Sequence, residues 1–292
     1  MKRFLKHSFS LLNVEYVKLN HNWNFKNVLS PYYRVYYIDE GEGHISTDHA
    51  NLLLEAGYLY IIPSFTLCSL SCDEYLSQYF IQFFEESGNG ISLFQNNRTI
   101  MKVPANETDI ANMKRILHIN PGRGINRSNN PKVYEKHIYY KEYQELNNNQ
   151  SSATFIETQG IILQIISRFL NLGSFKPLSP NSMPGKILEA MNYIQLNLSQ
   201  HLTVAHLAER ANQNQDYFSR LFMESTGLRP LMYIHERKIE RAQYLMTTTD
   251  MSYVKIIEEI GFEDLSYFSR TFKKVTGFTP EQYKKKNLGI HM

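Results

Sequence analysis

The stretch "SYFSRTFKKVTG", residues 266–277, decides the fold of the second half of the chain, because fifty residues earlier the chain reads "DYFSRLFMESTG", residues 216–227. At an offset of 50, Tyr217, Phe218, Ser219, Arg220, Phe222, Thr226, Gly227, Pro230 and Tyr233 match Tyr267, Phe268, Ser269, Arg270, Phe272, Thr276, Gly277, Pro280 and Tyr283. A shorter segment precedes each copy, "TVAHLAERA" (203–211) and "SYVKIIEEI" (252–260), at an offset of 49, so the second turn is one residue longer. Thr203, Asn214, Ser252 and Asp264 are N-capping residue types at the starts of these segments. Gly227 and Gly277 suit the left-handed backbone that ends a helix. Thr279-Pro280-Glu281-Gln282 is a capping box with Pro in the first turn, which starts another helix. Each copy is therefore predicted to be helix, tight turn, helix.

The second helix of each copy has two unlike faces. At 100° per residue, Tyr217, Phe218, Leu221, Phe222 and Ser225 share one arc and are predicted to pack inward, as are Tyr267, Phe268, Thr271, Phe272 and Val275. Asp216, Ser219, Arg220 and Met223 lie opposite, as do Ser266, Ser269, Arg270 and Lys273. A shared packing role accounts for the aromatics. It does not require the same Arg on the outer face twice. A lone exposed Arg reads as a solvated face, but its recurrence at the same turn points to DNA. A recognition helix enters the major groove by its N-terminal turns. Arg donates two hydrogen bonds to guanine O6 and N7, Ser contacts base or phosphate, and Asp216 would accept from cytosine N4. Lys273, Lys274 and Lys284–Lys286 would neutralise phosphates. Residues 184–292 hold 14 Lys and Arg against 12 Asp and Glu, a net +2, so a DNA-binding surface has to come from where the charges sit.

The remainder of the 292 residues fits a second domain. A net charge of +3 does not by itself imply nucleic acid. Residues 1–105 read as β-rich, with strands at "YYRVYYIDEGEGHI" (32–45, broken at Gly41 and Gly43), "GYLYIIPS" (57–64) and "YLSQYFIQFFEES" (75–87), which suggests a small barrel or sandwich. Helices are predicted at "ETDIANMKRILHI" (107–119), "KVYEKHIYYKEYQEL" (132–146) and "TFIETQGIILQIISRFL" (154–170), with a loop at 120–131. The last helix serves either to cover the barrel or to form a dimer interface. "NLGSFKPLSPNSMPG" (171–185) reads as a linker. The expected division is 1–171, a linker at 172–185, and 186–287.

Cys68 and Cys72, on one strand, would lie on the same face about 13 Å apart, too far for a disulfide. Both are read as reduced thiols. The N-terminus does not read as a signal peptide, and "GIILQIISRFL" (160–170) is too short to span a bilayer and carries Gln164 and Arg168. His44, His49 and Glu55 are the nearest approach to a metal cluster and lack a close His pair. No metal, no cofactor, no nucleophile–base arrangement and so no enzyme activity is expected.

The stretch "SYVKIIEEIGFEDLSYFSRTFKKVTGFTPEQYKK" (252–285) resembles the C-terminal signature of the AraC/XylS family of bacterial transcription regulators. Gly261-Phe262, Asp264, the run Ser266–Lys273, Gly277, Thr279-Pro280 and Tyr283 carry the resemblance, which covers 186–287. Ile257 departs from it, where the family usually has Ala. The resemblance implies an α+β chain. Its N-terminal part would be a cupin-like β-barrel with a helical segment. Its C-terminal all-α domain would hold two helix-turn-helix units joined by a long helix at about 230–247. Gln215, Asp216, Ser219 and Arg220, with Leu265, Ser266, Ser269 and Arg270, fall at base- or backbone-contacting positions, and Lys273 joins them as a phosphate contact. The implied function is a cytoplasmic, sequence-specific transcription regulator modulated by a small-molecule effector. An alternative is a regulator whose barrel serves only in dimerisation or protein interaction. The implied partners are double-stranded DNA, a second copy of the chain as a homodimer, an effector and RNA polymerase, with no membrane. The barrel strands echo the family more weakly, and no effector-binding residues are legible. Two further readings differ in class. DNA-alkylation repair proteins carry a similar helical region beside reactive cysteines, but Cys68 and Cys72 alone do not make such a centre. A DNA-free interaction module would leave the repeated Arg unexplained.

Overall fold

The computed structural model describes residues 7–47, 50–87, 92–94, 98–124, 137–170 and 184–288. His49, most of the predicted 120–131 loop, the first five residues of the predicted 132–146 helix and the linker up to 183 lie outside the described residues. The chain divides into two compact units, 1–86 with 97–175 and 87–96 with 176–292.

In the first unit the described strands are β1 (His7–Asn20), β2 (Asn24–Val28), β3 (Tyr33–Ser46), β4 (Asn51–Glu55), β5 (Tyr58–Ile62), β6 (Cys68–Ser71), β7 (Tyr75–Ser87) and β8 (Met101–Pro104). They form one sheet ordered β1-β7-β3-β5-β8, with β4 and β6 added on β3 and β2 on β6. Strand β3 organises it. Its first half pairs antiparallel with β5 and β7, and its second half with β4 and β6. The predicted break at Gly41 and Gly43 does not occur: β3 runs through both. A bulge between Ile38 and Glu40 precedes Gly41, whose φ is +77°. A Cβ at Gly41 would lie 2.1 Å from the Tyr75 carbonyl oxygen, so only glycine lets β3 pass this close to β7 while it changes partners. β1 was not apparent from the sequence, where Phe9, Leu11 and Leu12 sit among polar residues.

Trp23, Tyr36, Ile38, Ile45, Leu54, Tyr60, Ile62, Leu70, Leu76 and Phe80 pack together on one side of the strands. Cys68 and Cys72 join this core as free thiols; Cys72 lies just beyond β6, and burial pushes its thiol pKa up. Helices α1 (Glu107–Ile119), α2 (His137–Asn148) and α3 (Ser152–Leu170) follow. Helix α3 buries Ile161, Ile162, Ile165, Ile166 and Phe169 and packs against α1, β1 and β8. Gln159 on α3 also pairs with Phe9 of the terminal strand β1: Phe9 N–H donates to its Oε1 (2.8 Å), and its Nε2 donates to the Phe9 carbonyl (2.6 Å). One face of α3 thus covers the sheet, as the first of its two readings required.

The second unit is helical: α4 (Gly185–Leu196), α5 (Val204–Arg210), α6 (Gln215–Thr226), α7 (Pro230–Thr248), α8 (Tyr253–Glu259), α9 (Leu265–Thr276) and α10 (Pro280–Leu288). An N-terminal sheet unit followed by a helical unit makes the chain α+β. Ile187, Met191, Ile194, Leu207, Phe218, Phe222, Tyr233 and Ile234 form a core drawn from α4 to α7. Helix α7 then runs on to pack against α8, α9 and α10. Its buried positions therefore serve both halves of the unit. Ile257 is 8% exposed and accommodated in α8, so its departure from Ala leaves the second half intact.

Candidate nucleic-acid interface

Two helix-turn-helix units emerge, α5–α6 and α8–α9, and their local physics is the same. The turns hold left-handed residues at equivalent positions, Asn212 (φ 49°) and Gly261 (φ 62°). In the first unit the Asn214 side chain accepts from Asp216 N–H (2.9 Å). In the second Asp264 accepts from Ser266 N–H (3.0 Å) and Tyr267 N–H (2.7 Å), which holds its carboxyl below the usual range. Gly227 and Gly277 end α6 and α9 in left-handed geometry, φ 77° and 80°.

The buried sides match in detail. Phe218, Phe222, Phe268 and Phe272 are wholly buried. Phe222 meets Tyr233 with ring centroids 5.4 Å apart at 71°, and Phe272 meets Tyr283 at the same 5.4 Å and 71°. The repeated Thr226 and Thr276 tie off the helix ends: each hydroxyl donates to the carbonyl four residues back and accepts from the N–H two residues on.

The outer sides match as well. Gln215, Asp216 and Arg220 are exposed on α6, and Leu265, Ser266 and Arg270 are exposed at the same positions on α9; Ser219 and Ser269 are half-buried. Lys273 is exposed. Each helix thus brings its predicted residues onto one accessible face, at the N-terminal turns except for Lys273 in the last turn of α9. The charges differ. Helix α6 carries Asp216, Arg220 and Glu224, whereas α9 carries Arg270, Lys273 and Lys274, the two lysines favourably placed in its last turn.

The repeated tyrosines contradict the sequence reading. Tyr217 is 49% exposed and Tyr267 is 43% exposed, so neither belongs to the core. The wheel placed them at the edge of the inward arc, whereas the buried centre lies on the two phenylalanines, more than 90° away. The Tyr267 hydroxyl shares a 3.1 Å hydrogen bond with His235 Nε2 of α7, and the Arg220 guanidinium lies 5.9 Å from the Tyr217 ring. Burial pushes the His235 pKa down, with the Lys238 and Lys274 charges adding to it. Both tyrosines border the proposed reading residues. Identical exposed aromatics in both copies were the available signal.

Among the described residues no group of three His, Cys, Asp or Glu side chains could hold a metal ion, and no helix is long and apolar enough to cross a membrane.

A family model described as a helix-turn-helix domain matches residues 207–286. The arabinose operon regulatory protein of Escherichia coli K12 is 31% identical over 103 residues, 35% of each chain, so the match spans about a third of that relative. The raffinose operon transcriptional regulatory protein RafR of Pediococcus pentosaceus is 25% identical over 281 residues, covering 92% of this chain and 90% of that one. Among solved structures, an apo ToxT variant from Vibrio cholerae superposes with a TM-score of 0.53 at 13% identity over 96% of both chains, a likeness of fold. Wild-type ToxT bound to an unsaturated fatty acid gives 0.50 at 16% identity over 98% of both. With two matching helix-turn-helix units in hand, residues 207–286 of this chain are a helix-turn-helix domain, similar to that of the arabinose operon regulatory protein.

Proposed function

We propose that the chain is a sequence-specific DNA-binding transcription regulator whose two reading helices, α6 and α9, enter successive stretches of major groove. One observation carries this: six consecutive positions, 215–220 and 265–270, repeat the same order of exposed, half-buried and buried residues, and both copies put Arg at the same outer position. Gln215, Asp216, Ser219 and Arg220, with Leu265, Ser266, Ser269 and Arg270, read bases or backbone, and Lys273 contacts phosphate. Selection from random duplex DNA tests the proposal. It should enrich a bipartite site with two blocks about one helical turn apart. Recovery of unenriched sequence would overturn it.

Lys273→Ala is expected to weaken binding about equally on all sequences and to lower the salt slope by about 1. Titration at several salt concentrations checks this, and an unchanged slope removes Lys273 from the phosphate contacts.

The division of labour follows the same reading. Residues 186–287 bind DNA, 172–185 link, and 1–171 form a cupin-like sensing and dimerising domain in a cytoplasmic protein. RafR, with its operon-specific name, and fatty-acid-bound ToxT both align along nearly the whole chain, which supports an effector role for the first unit. One name gives an operon and the other title a bound fatty acid, so no effector class is carried over. Dimerisation is assigned to the outer side of α3, where Ile156 (68% exposed), Gly160 and Leu163 (42% exposed) line up at i, i+4 and i+7. The double variant Ile156→Glu with Leu163→Glu should shift the protein from dimer to monomer in sedimentation. A dimer that persists excludes this face. RNA polymerase contact remains part of the same proposal.

A further inference from the structure

Helix α7 reads from sequence as a spacer between the two units, but its centre carries a buried charge. Lys238 is 5% exposed, and burial pushes its ammonium pKa down to about 8. Its Nζ donates to the Gln200 carbonyl (3.0 Å) and to the Gly261 carbonyl (2.6 Å). Gln200 lies in the segment that leads into α5, and Gly261 forms the turn between α8 and α9. A single ammonium thus ties the entrance of the first helix-turn-helix unit to the turn of the second, from the helix they share. Satisfying two carbonyls on different units is a task that packing alone does not set, since an apolar side chain would fill the same space without desolvating a charge.

Independent contacts concentrate at the same joint. A Cβ at Gly261 would lie 2.4 Å from the Ser199 carbonyl oxygen, so the second turn rests directly on the segment before α5. His201 Nδ1 and Glu263 Oε1 are 2.9 Å apart across it. Lys238 Nζ sits 5.4 Å from the centre of the Phe262 ring, on which His235 also stacks, and His235 shares its hydrogen bond with Tyr267 of α9. A chain of contacts therefore leads from the segment before α5 to the second reading helix.

We infer that Lys238 is a positioning residue that fixes the separation and twist of the two reading helices, so that the protein selects DNA by the spacing between two sub-sites as well as by their sequence. This rests on the DNA-reading proposal above. One added base pair shifts the far sub-site by about 3.4 Å and turns it by about 35°. Heads held rigidly cannot then both seat.

The test compares the full-length protein with Lys238→Met and Lys238→Arg on a selected site and on versions with one base pair inserted or removed between its halves. The wild-type protein should lose about tenfold in affinity at altered spacing, comparable to one badly seated contact. Lys238→Met should lose about twofold or less, and Lys238→Arg should recover part of the discrimination. A second reading needs no DNA. Spin labels at Glu224→Cys and Lys274→Cys, equivalent exposed positions on α6 and α9, should give a narrow distance distribution in the wild-type background and a broad one with Lys238→Met. A variant that keeps both the wild-type spacing profile and the narrow distribution overturns the inference. A wild-type protein that selects no site sinks the DNA-reading proposal instead, and the label widths still decide the joint. If circular dichroism shows Lys238→Met unfolded, Lys238→Gln takes its place in both measurements under the same criteria.

Discussion

Arg220→Ala and Arg270→Ala are each expected to weaken binding to the preferred site by about 1–3 kcal/mol and to relax base preference at one position each. The guanidinium fork offers two parallel donors to guanine O6 and N7, which Ala cannot replace and Lys replaces only as a point charge. The two arginines stand on separate helices, fifty residues apart in sequence, so their effects should add in the double variant. Binding isotherms on single-base variants of the site separate this from phosphate contact. Loss of affinity confined to one site position marks base reading, and equal loss on every sequence marks a backbone role. Unchanged affinity and specificity in both variants would remove the arginines from the interface.

Phe222→Ala and Phe272→Ala should each destabilise the helical unit by about 3–5 kcal/mol, because each empties a wholly buried ring site and leaves Tyr233 or Tyr283 without its edge-on partner. Urea unfolding followed by far-ultraviolet circular dichroism measures this. The repeated tyrosines should behave in the opposite way. Tyr217→Ala and Tyr267→Ala remove side chains that are about half exposed, so their cost should be within about 1 kcal/mol. Their consequences should fall on DNA binding. A stability loss at Tyr267 as large as at Phe272 would restore the sequence reading that put all the repeated aromatics in the core.

The contrast shows what was legible in the sequence. Caps, helix-ending glycines and the paired phenylalanines are local in sequence and obey a 3.6-residue period, so the two helix-turn-helix units could be read directly from it. The one-residue lengthening of the second turn was legible too, from the change of offset. Tyr217 and Tyr267 were misplaced because a wheel gives direction but not the width of the buried arc. Gly41 reads as a break in the sequence because a glycine in a strand signals turn and close approach equally well. Only the Tyr75 carbonyl, brought up by strand pairing, decides between them. Lys238 was hidden most completely. In "HERKIERA" it reads as one solvated charge among several, and its carbonyl partners lie 38 and 23 residues away.

The order of the two units along the chain has a consequence for genetics. They follow one another as a tandem repeat, and their outer faces differ in charge, with Asp216 and Glu224 on one and Lys273 and Lys274 on the other. A single chain bound to DNA is therefore an arrow, with a head and a tail that a palindrome could not define. Inverting a promoter site that holds a single chain should reverse the molecule on the DNA and alter regulation even though every base contact is kept.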